Sequence, residues 1–93
     1  MNQEEIIRQL KDHIFENYPA ARKREDLPVD ESLYDSGILD SFGIVELVTF
    51  IENHWSIWIE DREITKEKFG GLRKMASLIE KKLQQKNLLT GPS

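Results

Sequence analysis

In this 93-residue chain the best-placed reactive group is a serine where a loop turns into a helix. The segment reads Leu33-Tyr34-Asp35-Ser36-Gly37-Ile38-Leu39-Asp40-Ser41-Phe42-Gly43-Ile44-Val45-Glu46-Leu47-Val48. An acidic loop ends at Asp40, and an apolar helical pattern begins after Ser41. A serine at a helix start is exposed, because the chain has only just left the loop. An anion esterified to its oxygen would face unpaired backbone N–H groups and the positive end of the helix dipole. Ser41 is therefore well placed to carry a phosphodiester. Taken alone, Asp-Ser before an apolar run more often signals only an N-cap, since both residue types accept hydrogen bonds from the first helical turn.

Other chemistry finds little support. The chain has no cysteine, which excludes disulfides, a cysteine zinc site, an iron–sulfur cluster and a cysteine nucleophile. His13 and His54 lie far apart in the chain and have no obvious ligand partners. A calcium loop from Asp35 to Glu46 has matching end points, but its sixth position is Asp40, where the turn needs glycine. No P-loop, dinucleotide fingerprint or serine–histidine–acid order is present. The chain is thus expected to hold no catalytic residue and no metal ligand.

The elements that must position Ser41 read as helices. Ile6, Ile7, Leu10 and Ile14 recur at helical spacing and predict a helix over residues 3–17, closed by Pro19. Residues 18–40 read as a long loop, with Leu27, Val29, Leu33, Tyr34, Ile38 and Leu39 as points that pin it to a core. Residues 41–55 form the strongest pattern, with Ile44, Leu47, Val48, Ile51 and Trp55 on one face. Phe42, Val45 and Phe50 widen that face and allow burial on more than one side; Phe42 and Val45 are equally candidates for its exposed side. A short polar connection over residues 56–63 and one helical turn over 64–69 follow. Gly70 and Gly71 then precede a final helix over 71–86, carrying Leu72, Met75, Ala76, Ile79 and Leu83. The expectation is an all-α fold, a small four-helix bundle of three main helices and one short one, with a long loop between the first and second. Residues 1–93 read as a single domain, with an ordered core over about 3–86 and a flexible tail over 87–93. Residues 56–70 and the loop are expected to be the least protected region, for want of apolar anchors.

Composition fits one small globular domain: 39% of residues are hydrophobic and 32% charged, too apolar to read as disordered. No apolar run approaches the length of a membrane span, and the polar start Met1-Asn2-Gln3-Glu4-Glu5 is not that of a signal peptide. A soluble, cytoplasmic, monomeric protein without stable membrane insertion is expected. Charge is unevenly placed: residues 26–63 carry ten acids and only Arg62 as a base, whereas residues 64–93 carry seven bases and two acids. The acidic block disfavours nucleic acid as a partner and suits a basic docking patch.

The whole pattern resembles the acyl carrier protein family. The resemblance rests on Leu33 to Gly37, the triplet Asp40-Ser41-Phe42, Glu46-Leu47, and the downstream order of Trp55, Ile57, Ile59, Ile64, Phe69, Leu72, Ala76 and Ile79. It implies that Ser41 is esterified by 4′-phosphopantetheine, which a phosphopantetheinyl transferase takes from coenzyme A, with Asp40 and Phe42 flanking the attachment point. The thiol of that arm would carry an acyl or aminoacyl group as a thioester, from a loading ligase to a downstream transferase, in lipid or secondary-metabolite biosynthesis. The run Gly37 to Gly43 looks more like stand-alone D-alanyl or aminoacyl carriers than fatty-acid carriers. Val45, Glu46 and Glu52 are the implied partner-docking residues. Asp35 is expected to fix the loop through backbone hydrogen bonds. Trp55 stands where the family usually has Phe and is expected in the core. Trp58 departs from the pattern and is expected to cover the core edge, the alternative being contact with cargo or a partner. Pro is frequent in the family at the position of Glu60. The alternative reading is an unmodified helical interaction module that uses the acidic 26–63 surface. Fatty acyl, D-alanyl, other aminoacyl and polyketide cargoes remain open, because all attach through the same thioester.

Overall fold

The computed structural model describes residues 2–18, 21 and 27–90, with side chains up to residue 86. Among the described residues four α-helices follow one another: α1 (Gln3–Asn17), α2 (Ser41–Trp55), α3 (Lys66–Phe69) and α4 (Leu72–Thr90). A 3-10 turn at Asp61–Glu63 stands between α2 and α3. The described residues include no strand, so the architecture is all-helical, with the long connection between α1 and α2. No helix among them is long and apolar enough to cross a membrane.

The apolar spacing sets the packing. In α1, Ile6, Leu10 and Ile14 are fully buried, one turn apart, and the side chain of Asn2 caps the helix by accepting the N–H of Glu5 at 2.9 Å. Helix α4 buries Leu72, Met75, Ala76 and Ile79, packs along α1 and carries α3 against its side. Helix α2 adds Leu47, Val48, Ile51 and Trp55 to the same hydrophobic cluster. Each such aliphatic side chain contributes about 1.5–3 kcal/mol by leaving water. Tyr18 ends α1 in an extended conformation while its N–H still donates to the carbonyl of Ile14. Pro19, read as closing α1, and residues 22–26 of the loop, with Asp26 of the acidic block, lie outside the described residues.

The loop is anchored where its apolar residues predicted, by buried Leu27, Leu33 and Leu39. Val29 and Ile38 are half-buried, but Tyr34 is exposed. The carbonyl of Leu33 accepts the N–H groups of both Ile38 and Leu39 at 3.0 Å, and Gly37, at φ +81°, supplies the left-handed residue that turns the chain back. This turn delivers the chain to Asp40 and the start of α2.

Several expectations need correction. Helix α4 runs to Thr90 rather than ending at residue 86, because Gln84, Gln85 and Lys86 are good helix formers and the stop signals, Gly91 and Pro92, come later. Residues 91–93 of the expected tail lie outside the described residues. The region 56–70 has more anchors than its sequence suggested: Ile59 and Phe69 are buried, and Ile57 and Ile64 pack against the core. Trp58 does not cover the core edge; it is 70% exposed, because the chain there is extended and its neighbours Ile57 and Ile59 point the other way. Phe42 and Val45 do not widen the buried face of α2 either.

Candidate functional site

Asp40 is the N-cap of α2 and Ser41 its first helical residue. The Asp40 carboxylate accepts the N–H of Gly43 at 2.8 Å, and the Asp40 carbonyl accepts the N–H of Ile44 at 3.0 Å. Asp40 therefore does the capping that either residue could have done. Ser41 is exposed, and no described residue takes its hydroxyl into a hydrogen bond. That hydroxyl is left at the positive end of a 15-residue helix with nothing structural to do.

A groove of about 260 Å³ opens beside it. Leu33, Tyr34, Ile44, Ile64 and Phe69 give the groove apolar walls, and Ser32, Asp35, Thr65 and Lys66 give it polar points. The ammonium of Lys66 meets the Asp35 carboxylate at 3.1 Å, joining the loop to α3. Asp35 was expected to act through backbone bonds. Its backbone N–H does donate within the loop, to Ser32 Oγ at 3.2 Å, but its carboxylate holds Lys66.

Phe42, 78% exposed, and Val45, 63% exposed, stand three residues apart on one face of the first two turns of α2. Glu46 follows on the same stretch. Its Oε1 accepts the hydroxyl of Tyr18 at 3.0 Å, and the same O–H lies 3.3 Å from the carbonyl of Gly43. Burial first, and Glu46 second, push the Tyr18 hydroxyl up to about 12, so it stays a neutral donor. Glu52 sits apart, near the other end of α2. Its Oε2 accepts the N–H of Ile59 at 3.0 Å and so holds the connection after the helix. At Glu60 the backbone N–H donates to Glu63 Oε1 at 2.9 Å, a bond that proline could not make. The structure thus brings Asp40, Ser41, Phe42, Val45 and Glu46 together and separates Glu52 from them.

Tyr18 and Lys66 were not legible as site residues. Tyr18 reaches Glu46 across 28 positions of sequence. Nothing in the local pattern of either residue points to Ser41. The two histidines, far apart in sequence, meet in space: His13 stacks on Phe50 with ring centroids 3.7 Å apart, and His54 lies on the same ring at 5.0 Å. Among the described residues no group of three or more histidines, cysteines, aspartates or glutamates is placed to hold a metal ion.

A helical domain that offers an exposed serine at a helix start, unbonded among the described residues and beside exposed apolar side chains, suits a class of proteins, the acyl and aminoacyl carriers. Comparison with known proteins points the same way. The chain is 38% identical over 47 residues to the D-alanyl carrier protein of Streptococcus mutans, which covers 50% of this chain and 60% of that protein. It is 37% identical over 49 residues to the D-alanyl carrier protein of Streptococcus suis, covering 53% and 62%. The matched part is thus about three-fifths of the length of either relative. No family profile matches. These relatives support an acyl- or aminoacyl-carrier family for this chain.

Proposed function

We propose that this protein is a carrier whose Ser41 is the attachment point of 4′-phosphopantetheine, and that it shuttles an acyl or aminoacyl group between enzymes without catalysing a reaction itself. The observation that carries the reading is the state of Ser41. It is exposed at the first position of α2, and Asp40 has relieved it of the capping role. The residues present fit the group. Ser41 and Phe42 lie with Gly43 in the first turn of α2, the end of a helix that favours an anion, and Asp40 occupies only the Gly43 N–H there. The adjacent groove offers apolar walls with polar points, as an amide-bearing arm requires. When bound, the arm supplies a thiol that holds cargo as a thioester.

In the loading step Ser41 Oγ bonds to the phosphorus that bears the pantetheine half of coenzyme A. Adenosine bisphosphate leaves, and the serine proton passes to a base of the transferase. Asp40 fixes the helix start, while Phe42, Val45 and Glu46 present an apolar patch with one carboxylate to that transferase and to the loading ligase. Glu52, tied to Ile59, serves the fold of the connection rather than that patch. The D-alanyl cargo in the names of both relatives favours a D-alanyl or other small aminoacyl group here over a long acyl chain. We place the carrier unit over residues 1–93 and its action in a monomer.

The test is intact mass after incubation with coenzyme A and a promiscuous phosphopantetheinyl transferase. One phosphopantetheine is expected on the wild type and none on Ser41→Ala. Because no described residue bonds the hydroxyl, Ser41→Ala should keep the wild-type Tm to within about 2 °C. Gain of the group by folded Ser41→Ala, or no gain by the wild type, would reject the assignment.

A further inference from the structure

We infer that Tyr18 is a positioning residue for partner docking: its hydroxyl holds Glu46 and the first turn of α2 in the pose that the loading enzymes read. The inference rests on the carrier reading above. Tyr18 is the last residue of the α1 cap, and its O–H is shared between Glu46 Oε1 at 3.0 Å and the Gly43 carbonyl at 3.3 Å. The Gly43 N–H is already taken by Asp40 at 2.8 Å. The turn that presents Ser41 and Phe42 is therefore held from two sides, by the loop through Asp40 and by α1 through Tyr18.

The chemistry of the donor matters. A lysine or arginine at this place would orient Glu46 but cancel its charge. A neutral phenol orients it and leaves the negative charge intact. One carboxylate oxygen is occupied and the other keeps its lone pairs for a cation of the partner. A glutamate on an exposed helix face otherwise loses rotamer freedom when a partner binds; Tyr18 removes part of that loss beforehand. Its reach from α1 also fixes the angle at which Phe42 and Val45 accompany the charge.

The experiment measures loading by the transferase at varied carrier concentration, comparing wild type, Tyr18→Phe, Glu46→Ala and the double variant. Tyr18→Phe keeps the ring and its edge contact with His13, whose centroid is 6.1 Å away. It should raise KM for the carrier about three- to tenfold, the worth of one hydrogen bond, and leave kcat within about twofold. In the Glu46→Ala background the same change should raise KM by less than it does in the wild type, leaving only the share carried through the Gly43 carbonyl. An unchanged KM for Tyr18→Phe overturns the inference. So does an equal rise without Glu46, which marks Tyr18 as a tie between helices and nothing more. Glu46→Gln guards against loss of fold, since it keeps an acceptor for Tyr18 and removes only the charge. It should raise KM at least as much as Tyr18→Phe, and no change overturns the inference. A wild type that takes no group overturns the carrier reading and this inference together. A loaded wild type beside an unaffected Tyr18→Phe overturns this inference alone.

Discussion

Two adjacent residues of similar capping ability divide the labour at the start of α2. Asp40 accepts the N–H of Gly43, and Ser41 is left free. The division follows from register: the cap must precede the first helical residue, and only one side chain can occupy that place. Removing it should show in stability first. Asp40→Ala is expected to cost about 1 kcal/mol, with Asp40→Asn close to wild type because the amide oxygen still accepts. Thermal unfolding of the two variants tests this, and an unaltered Tm for Asp40→Ala would show that the cap carries no weight. The cap itself was legible in the sequence because capping chemistry is local. Ser41, Asp40 and Phe42 sit within one helical turn, and their residue types announce a helix start. Glu46 as a partner of Tyr18 was not legible, because that contact depends on where α1 ends relative to α2.

At the scale of elements, the seam between α1 and α2 is aromatic and titratable. His13 of α1 stacks on Phe50 of α2 at an interplanar angle of 11°, and His54 stacks on the same ring at 5.0 Å, with its Nε2 2.5 Å from Gln9 Oε1. The Nε2 of His13 is buried with no hydrogen-bond partner among the described residues. Burial pushes the His13 pKa below the ordinary 6.5, against the opposing pull of Glu46 and Glu16 and with a smaller push from His54. The folded protein therefore binds fewer protons at His13 than the unfolded chain does. The stability this confers is intact above the unfolded value and is lost as pH falls below it, until the folded value is passed. Between about pH 7.5 and 5.5 the wild type should lose Tm, and His13→Phe, which keeps a ring against Phe50, should lose less. Equal losses in the two proteins would remove His13 from the account. The helices themselves were legible from periodicity, as Ile6, Leu10, Ile14, Leu47 and Ile51 show. Their pairing was not. Periodicity says which face is buried but not which neighbour it meets, so two histidines 41 positions apart gave no sign of sharing one ring. The exposure of Trp58 was hidden for a related reason, since an extended segment alternates its side chains and a single apolar residue does not reveal the phase.

For the molecule as a whole, the loop between α1 and α2 reaches across to the start of α4, a contact that adds to Leu27, Leu33 and Leu39 in holding the approach to Ser41 on the core. The N–H of Arg73 donates to the carbonyl of Val29 at 2.9 Å, and the Arg73 guanidinium meets Asp30 at 2.7 Å. The ion pair is exposed at both ends and contributes little, so the backbone contact is the stronger link. It requires a close approach. At Gly71 the backbone φ is +145°, and an added Cβ would lie 3.1 Å from the Val29 carbonyl oxygen and 3.2 Å from both the Asp30 carbon and the Glu31 oxygen. All three atoms belong to the backbone, so no side chain can swing aside to make room. In the sequence Gly70-Gly71 reads as a permissive helix start. In the fold Gly71 is the place where a loop that begins far away can touch α4. Gly71→Ala should therefore cost about 1–3 kcal/mol through the unfavourable φ and the displaced loop together. The same variant should raise hydrogen exchange at residues 29–39 more than in α1, because the loop loses its seat on α4 while the contacts of Leu10 and Ile14 with the core persist. If Gly71→Ala keeps the wild-type Tm, or if α1 loses protection as much as the loop does, the loop is not held at this point. In that case Leu27, Leu33 and Leu39 alone would hold the approach to Ser41.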